Sequence, residues 1–167
     1  YGTSGHGTSD HFIGEALNQR GITMSHVPYK GGAGSMLAIM NGEVPVAFGF
    51  SGSALAAVRS GNVKVLALVD GKRFMGQTNI PDLSAAVPGL EKPPSWTGLF
   101  MAANTPSALT HRFQAAVTKA MNAPDFPSFD GVEPVGNTPE QFAAQLRTQF
   151  ELIGRLAKAA NIQPTAD

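Results

Sequence analysis

The chain has 167 residues, of which 43% are hydrophobic and 14% charged, with no cysteine and a formal net charge of zero. This length suits one ordinary domain or two small lobes with real cores. The balanced charge argues against a nucleic-acid partner, because neutralising phosphates needs a basic surplus. No apolar run approaches the roughly 18 residues of a membrane span, so no direct membrane insertion is expected. Disulfides and thiolate metal sites are excluded.

The first eleven residues, Tyr1 to His11, predict the end of a strand, a glycine-rich loop and the start of a helix. Gly5 and Gly7 allow close approach of the backbone to a ligand and positive φ where it is needed. Thr8 or Ser9 is expected to cap the helix and to leave its first N–H groups facing outward. The segment is typical of an anion-binding loop, and nothing in it indicates catalysis.

Helices and strands are predicted to alternate through the first seventy residues, with Gly/Ser loops between them. In chain order the elements are a helix from Phe12 that ends at Gly21, a strand over 22–29, a helix over 35–41, a strand over 44–50, a helix over 54–59 and an almost wholly apolar strand over 63–69. Apolar strands of this kind belong in a covered parallel sheet. Three consecutive loops should therefore meet at the carboxyl edge of one sheet, where ligands bind.

The second half of the chain is predicted to begin with connecting turns and one short helix over 70–94. A strand over 96–103 follows, and Thr105 with Pro106 opens a helix that ends near Pro124. A short strand is expected over 132–135. Thr138 and Gln141 form a capping box, with proline at the first helical position, in front of a long helix.

Several spaced motifs together resemble the Bug family, the TctC-like periplasmic receptors of tripartite tricarboxylate transporters. They run in order along nearly the whole chain: YGTSGHGTSDH from Tyr1, HVPYKG from His26, GEVPVAF from Gly42, SWTGLF from Ser95 and EPVGNTPE from Glu133. A set of spaced motifs is far more specific than one glycine loop.

The resemblance implies an α/β, type II periplasmic binding protein-like fold, with a parallel-rich sheet covered by helices on both faces. Residues 1–94 would form the second lobe with its ligand loops, and residues 95–167 would return to the first lobe. The N-terminal part of the first lobe is expected to precede Tyr1. The implied protein is a periplasmic, monomeric, non-enzymatic receptor that needs no cofactor. It would deliver a small organic carboxylate to the membrane permease subunits of a transporter.

The resemblance also implies the ligand-binding residues. Ser4, Gly5, Gly7, Thr8 and Ser9 match a loop that in this family holds a ligand carboxylate through N–H and hydroxyl donors. Gly49 and Phe50 stand where many relatives have an Asp-Asn pair, which suggests a carboxylate ligand without an ammonium group. The complete set of predicted ligand-binding residues is Thr3, Ser4, Gly5, His6, Gly7, Thr8, Ser9, Tyr29, Lys30, Gly49 and Phe50.

Alternative chemistries find less support in the sequence. The four histidines are scattered and lack the HExxH spacing of a zinc site, so no metal site is predicted. No GxSxG elbow accompanies Ser4, Asp10 and His11, so a hydrolase triad is not expected. A phosphate-loop enzyme acting on a small phosphorylated metabolite would need a Gly-Lys-Ser/Thr ending, which is absent. A ligand-sensing module for a signalling partner stays open as an alternative.

Overall fold

The computed structural model describes residues 1–70, 74–127 and 133–163. Within these ranges the chain forms two short strands and six helices. In chain order these are β1 (Gly2–Thr3), α1 (Ser9–Asn18), β2 (Val27–Pro28), α2 (Gly31–Met40), α3 (Ser51–Arg59), α4 (Leu83–Ala86), α5 (Ser107–Met121) and α6 (Pro139–Ala159).

A small parallel sheet organises the N-terminal part, and β1 lies at its centre. Gly2 pairs with Val27 of β2 on one side and forms a parallel bridge with Ala47 on the other. The Gly2 N–H donates to the Val46 carbonyl at 2.9 Å, and the Phe48 N–H donates to the Gly2 carbonyl at 3.0 Å. Three segments therefore run side by side in the same direction, as the sequence predicted.

The hydrophobic core lies beneath this sheet and is built mainly on α1. Ile13, Ala16 and Leu17 lie on the inner face of α1 and pack with Leu83 and Leu90. These positions follow the i, i+3, i+4 spacing of an amphipathic helix, which is why α1 was predictable. The packing fixes α1 against the connecting segment that precedes Trp96.

The predicted strands are much shorter than expected. The strand over 22–29 is reduced to Val27–Pro28, the strand over 44–50 pairs only at Ala47, and the strand over 63–69 pairs only at Leu68, with Asp82. No regular strand forms over 96–103 or 133–135. A strand needs a hydrogen-bonded neighbour along its length, and in the described residues these segments have one at one or two positions or at none; Leu66 is accordingly 68% exposed. Residue 132 lies outside the described ranges.

The helix predictions hold, with shifted starts. The helix predicted over 35–41 begins at Gly31, and the helix predicted over 54–59 begins at Ser51, so both start immediately after their strand segments. The capping box of α6 is present: Thr138 Oγ1 accepts from the Gln141 N–H at 3.3 Å, and Gln141 Oε1 accepts from the Thr138 N–H at 2.9 Å.

The C-terminal part consists of an extended segment with α5 and α6. The Trp96 indole N–H donates to Gln149 of α6, and Arg155 forms an ion pair with Glu91 at 2.7 Å. α6 also contacts α1 and α5. Among the described residues, no helix combines the length and the apolar character needed to cross a membrane.

Candidate functional site

Three loops meet at one edge of the parallel sheet. The Tyr29 N–H donates to the Thr3 carbonyl and the Gly31 N–H donates to the Ser4 carbonyl, both at 3.0 Å. A Cβ built at Gly32 would lie 3.5 Å from Phe50 Cδ2, so the second and third loops are also in contact. We call the edge formed by residues 4–9, 29–32 and 49–53 the rim. The predicted convergence of the three loops is confirmed by this geometry.

Three helices begin at the rim, and none of them is capped by a side chain. α1, α2 and α3 follow the N-cap residues Thr8, Lys30 and Phe50, and none of these three side chains accepts a capping hydrogen bond. Elsewhere Asp82 caps α4 and Thr138 caps α6, while α5 follows Pro106, which has no side-chain acceptor. The first N–H groups of a helix have no intrahelical partner, and its dipole favours an anion there. The rim thus gathers three N-termini with donors suited to an anion.

The loop after β1 is held in place by its own hydrogen bonds. The Ser4 N–H and hydroxyl both donate to Asp10 Oδ2, at 3.1 and 2.7 Å, and Asp10 is buried. The Thr8 hydroxyl donates to the Gly5 carbonyl at 2.8 Å. Gly5 has a φ of 144° and Gly7 a φ of 67°, conformations that favour glycine. The loop is therefore preorganised without a ligand.

These bonds correct two of the sequence-based expectations. Thr8 is the N-cap residue of α1 by position, but its hydroxyl binds Gly5 instead of capping the helix. The donors of Ser4 are already used by Asp10, and the Gly7 N–H donates to His11 Nδ1 at 3.2 Å. The prediction missed Asp10 because an acidic residue in the first turn of a helix is usually explained by the helix dipole alone.

Thr3, which was predicted to bind ligand, is fully buried behind the rim. Its Oγ1 lies 2.6 Å from His26 Nε2 and donates to the Gly5 carbonyl at 3.3 Å. The Gly5 N–H donates back to the same hydroxyl at 3.3 Å. Thr3 therefore fixes the loop and the imidazole of His26 and does not face outward.

Tyr29 and Lys30 are adjacent in sequence, but their side chains lie in different places. The Tyr29 ring lies along α2, with Cβ beside Gly34 and the hydroxyl 3.4 Å from Glu43 Oε2, beyond the C-terminal end of α2. Burial and the Glu43 carboxylate raise the pKa of Tyr29. The hydroxyl is thus turned away from the rim. Lys30 is exposed at the start of α2, where a cation adds to the positive end of the helix dipole.

Gly49 and Phe50 form the third part of the rim. Phe50 is 55% exposed, and its carbonyl accepts from the Ser53 hydroxyl and from the Ala54 N–H, both at 2.9 Å. A Cβ at Gly49 would lie 2.8 Å from Met36 Cε, so this position is tightly packed. The rim therefore presents an exposed aromatic ring at the point where many relatives were expected to have a carboxylate and an amide.

Three of the four histidines come together beside the rim. The rings of His11 and His26 are stacked with their centroids 3.9 Å apart, and His6 lies edge-on to both at 5.2 and 4.9 Å. Burial, then the neighbouring His11 and His6, lowers the pKa of His26 to about 4, and burial also lowers the pKa of His11. The sequence-based expectation of scattered histidines is wrong here, because parallel pairing of β1 with β2 places His26 beside α1.

A large apolar concavity of about 1880 Å³ lies on another side of the molecule. Its walls are the segments around Val46, Leu66 and Leu99 together with α5, and it meets the rim near Phe50. Its lining is the apolar surface left uncovered by the missing strand partners described above. Of the three helix N-termini at the rim it includes only that of α3, at Ser51 and Gly52, so we do not assign the binding site to it.

The fold and the rim together define an α/β protein of the periplasmic binding protein class. The chain superimposes with a TM-score of 0.88 on a solved structure of R. palustris Rpa4515 with adipate, at 24% identity, covering 99% of this chain and 56% of that one. A second solved structure, of a periplasmic transporter, matches with a TM-score of 0.83 at 27% identity, covering 98% of this chain and 56% of the other.

Residues 1–162 match the family described as the tripartite tricarboxylate transporter family receptor, TctC, and the chain belongs to this family. A UPF0065 protein of Bordetella pertussis is 30% identical over 98% of the chain and 52% of its own length. A UPF0065 protein of Bordetella bronchiseptica is 28% identical over 98% of the chain and 50% of its own length. The chain thus spans about half the length of these relatives, and the resemblance inferred from sequence is confirmed.

Proposed function

We propose that this chain forms the anion-holding part of a periplasmic receptor that binds a small organic carboxylate. The observation that carries the proposal is the meeting of three helix N-termini without side-chain caps at one rim. A ligand carboxylate would supply the missing acceptor for their first N–H groups. Each helix dipole favours an anion by about 0.3–1 kcal/mol, and charge-assisted hydrogen bonds add to this.

The residues proposed to face the ligand are those of the rim whose donors are not used within the loop. They are the backbone and side chains of His6 and Ser9, the backbone of Thr8, the start of α2 at Lys30 and Gly32, and Gly49 with Phe50. Ser4, Gly5, Gly7 and Thr3 act by holding the loop in shape. Only the backbone of Tyr29 contributes to the rim.

The rim favours a carboxylate without an ammonium group. Asp10 is buried and bound to Ser4, and Glu43 lies beyond the far end of α2, so neither is placed to pair with a ligand amine. The exposed ring of Phe50 would instead contact an aliphatic or aromatic ligand body. The adipate in the structurally similar Rpa4515 is an aliphatic dicarboxylate without an amine, which is consistent with this selectivity.

The other half of the binding cleft is proposed to come from a first lobe. The relatives are about twice as long as this chain, and a type II binding protein closes two lobes on its ligand. In this proposal residues 1–94 belong to the second lobe and residues from 95 onward return to the first. The whole receptor would act in the periplasm as a monomer and pass its ligand to membrane permease subunits, without catalysis.

The proposal is tested by calorimetric titration of the full-length receptor with adipate, a simple monocarboxylate and an amino acid of similar size. We expect binding of at least one simple carboxylate and none of the amino acid. Tight binding of the amino acid with no response to carboxylates would refute the selectivity. Turnover of an ester or a phosphorylated metabolite, without carboxylate binding, would favour an enzyme.

A further inference from the structure

We infer that His6, His11 and His26 form a binding site for one divalent transition metal ion of the Zn²⁺ type. One nitrogen of each imidazole lies within 4.8 Å of the corresponding nitrogens of the other two. The inference goes beyond the proposed receptor function, which needs no metal. It rests on the following contacts of the three side chains.

Three separate elements hold the three rings. His6 lies in the loop after β1 and is exposed, His11 lies in the first part of α1 and is buried, and His26 directly precedes β2. The parallel register of β1 and β2 brings His26 to the loop although 20 residues of sequence separate it from His6. A bound ion would therefore cross-link the rim loop, the first helix and the second strand.

The hydrogen bonds around His26 prepare one nitrogen for a metal. Thr3 Oγ1 lies 2.6 Å from His26 Nε2, so in the tautomer that carries the ring proton on Nε2 the imidazole donates to Thr3. Nδ1 is then left with its lone pair. A metal-binding histidine normally donates its other N–H to an oxygen acceptor in this way, which fixes the tautomer and the ring orientation.

The charge next to the cluster also suits a metal. The Glu15 carboxylate acts on both imidazoles in favour of a positive charge, which would equally favour a bound cation.

The type of ion follows from the ligand set. Three imidazoles without thiolate or carboxylate suit Zn²⁺, Cu²⁺ or Ni²⁺ and do not suit Ca²⁺ or Mg²⁺. Zn–N bonds of about 2.0–2.1 Å put tetrahedral ligand nitrogens about 3.3 Å apart, so the rings must rotate to bind. The stacked rings of His11 and His26 would move apart on binding. The 3.2 Å hydrogen bond from the Gly7 N–H to His11 Nδ1 is long, so it would break readily.

The experiment is a calorimetric titration of the metal-stripped full chain, prepared without a polyhistidine tag, with ZnCl₂ at neutral pH. The matched variants are His6→Gln, which removes an exposed ligand, and His111→Gln, which removes an exposed histidine of α5 outside the cluster. We expect one Zn²⁺ per chain, at least about tenfold weaker binding in His6→Gln, and no change in His111→Gln.

A second measurement separates loss of a ligand from loss of the fold. Co²⁺ bound to three imidazoles in a near-tetrahedral site gives visible ligand-field absorption, which His6→Gln should remove while its far-ultraviolet circular dichroism stays as in the parent chain. Absence of Zn²⁺ binding by the parent chain would overturn the inference. Equal affinity of the parent and His6→Gln would do the same.

Discussion

Residues 1–94 and the described residues from 95 to 163 differ in where their apolar side chains lie. All the buried hydrophobic side chains, from Tyr1 to Leu90, belong to the first region, whereas in the second only Gln149 is buried. Yet α5 and α6 are amphipathic, and Leu99 and Phe100 are largely exposed. The first region has a core of its own. The second keeps an apolar surface uncovered, which fits its proposed return to a first lobe.

The largest expected effect contrasts a buried side chain of the first region with an exposed side chain of the second. Ile13→Ala should lower the free energy of unfolding by about 2–5 kcal/mol, because Ile13 is only 2% exposed and its loss leaves a cavity. Leu99→Ala is the control from the second region: Leu99 is 65% exposed, so we expect a change within about 0.5 kcal/mol. Urea denaturation of the full chain measures both. Equal costs for the two substitutions would contradict the comparison.

The next effect concerns the loop of the first region. Asp10→Ala should cost about 1–3 kcal/mol, because it leaves the Ser4 N–H and hydroxyl without their buried acceptor. Asp125→Ala, at a residue exposed in the second region, is the matched control and should be nearly neutral. Denaturation midpoints at neutral pH provide the measurement. A neutral Asp10→Ala would show that the loop is not held as described.

A smaller effect is expected in the second region, at the start of α6. Thr138→Ala should cost about 1 kcal/mol, because it removes half of the capping box. Thr148→Ala, in the middle of the same helix, should be neutral or slightly stabilising, since its hydroxyl bonds back to the Ala144 carbonyl. Helix content followed by circular dichroism during denaturation compares the two. If Thr148→Ala proved the more damaging substitution, the cap would not stabilise α6.

The smallest effect is a difference in pH response between the regions. In the first, the pKa of His26 is lowered to about 4, so the unfolded chain takes up the proton first and stability is lost as pH falls from about 6.5 to about 4. In the second region, the Ser107 carbonyl and Glu140 raise the pKa of His111. The contribution of His111 to the stability of the folded chain is therefore present at low pH and is lost as pH rises through the raised pKa.

Proton NMR titration of the histidine ring signals in metal-free protein checks this difference directly. We expect His111 to titrate above 6.5 and His26 well below it. The variant His26→Asn should flatten the fall in stability on the acid side. Equal titration midpoints for His26 and His111 would contradict this difference. Burial lowers the pKa of His26, whereas the Ser107 carbonyl and the exposed Glu140 carboxylate raise that of His111.

The sequence predicted helices better than strands, for a physical reason. The face of α1 and the capping box of α6 are local patterns, so Ile13 and Thr138 could be placed without knowing their surroundings. The strands over 63–69 and 96–103 depend on neighbours that the described residues do not supply, and Leu66 is exposed where burial was predicted. At the site, Gly/Ser loops after parallel strands were enough to predict the rim.

What the sequence could not show are the contacts across elements. The side-chain direction of Tyr29, the capture of the Ser4 donors by Asp10 and the meeting of His6, His11 and His26 all depend on register and packing. Sequence spacing carried no signal for the histidine cluster, since its members come from three different elements. Sequence patterns therefore did not predict contacts between residues that only the tertiary structure brings together.

The most direct test of the account is a ¹H–¹⁵N NMR titration of the full-length receptor with adipate, which asks where an organic anion is held. We expect the largest shifts at the backbone amides of Ser9, Gly32 and Ser51, in the first turns of α1, α2 and α3, with small changes along α5 and α6. Saturable shifts confined to α5, α6 and the segments around Leu66 and Leu99, with the three rim amides unmoved, would contradict this expectation.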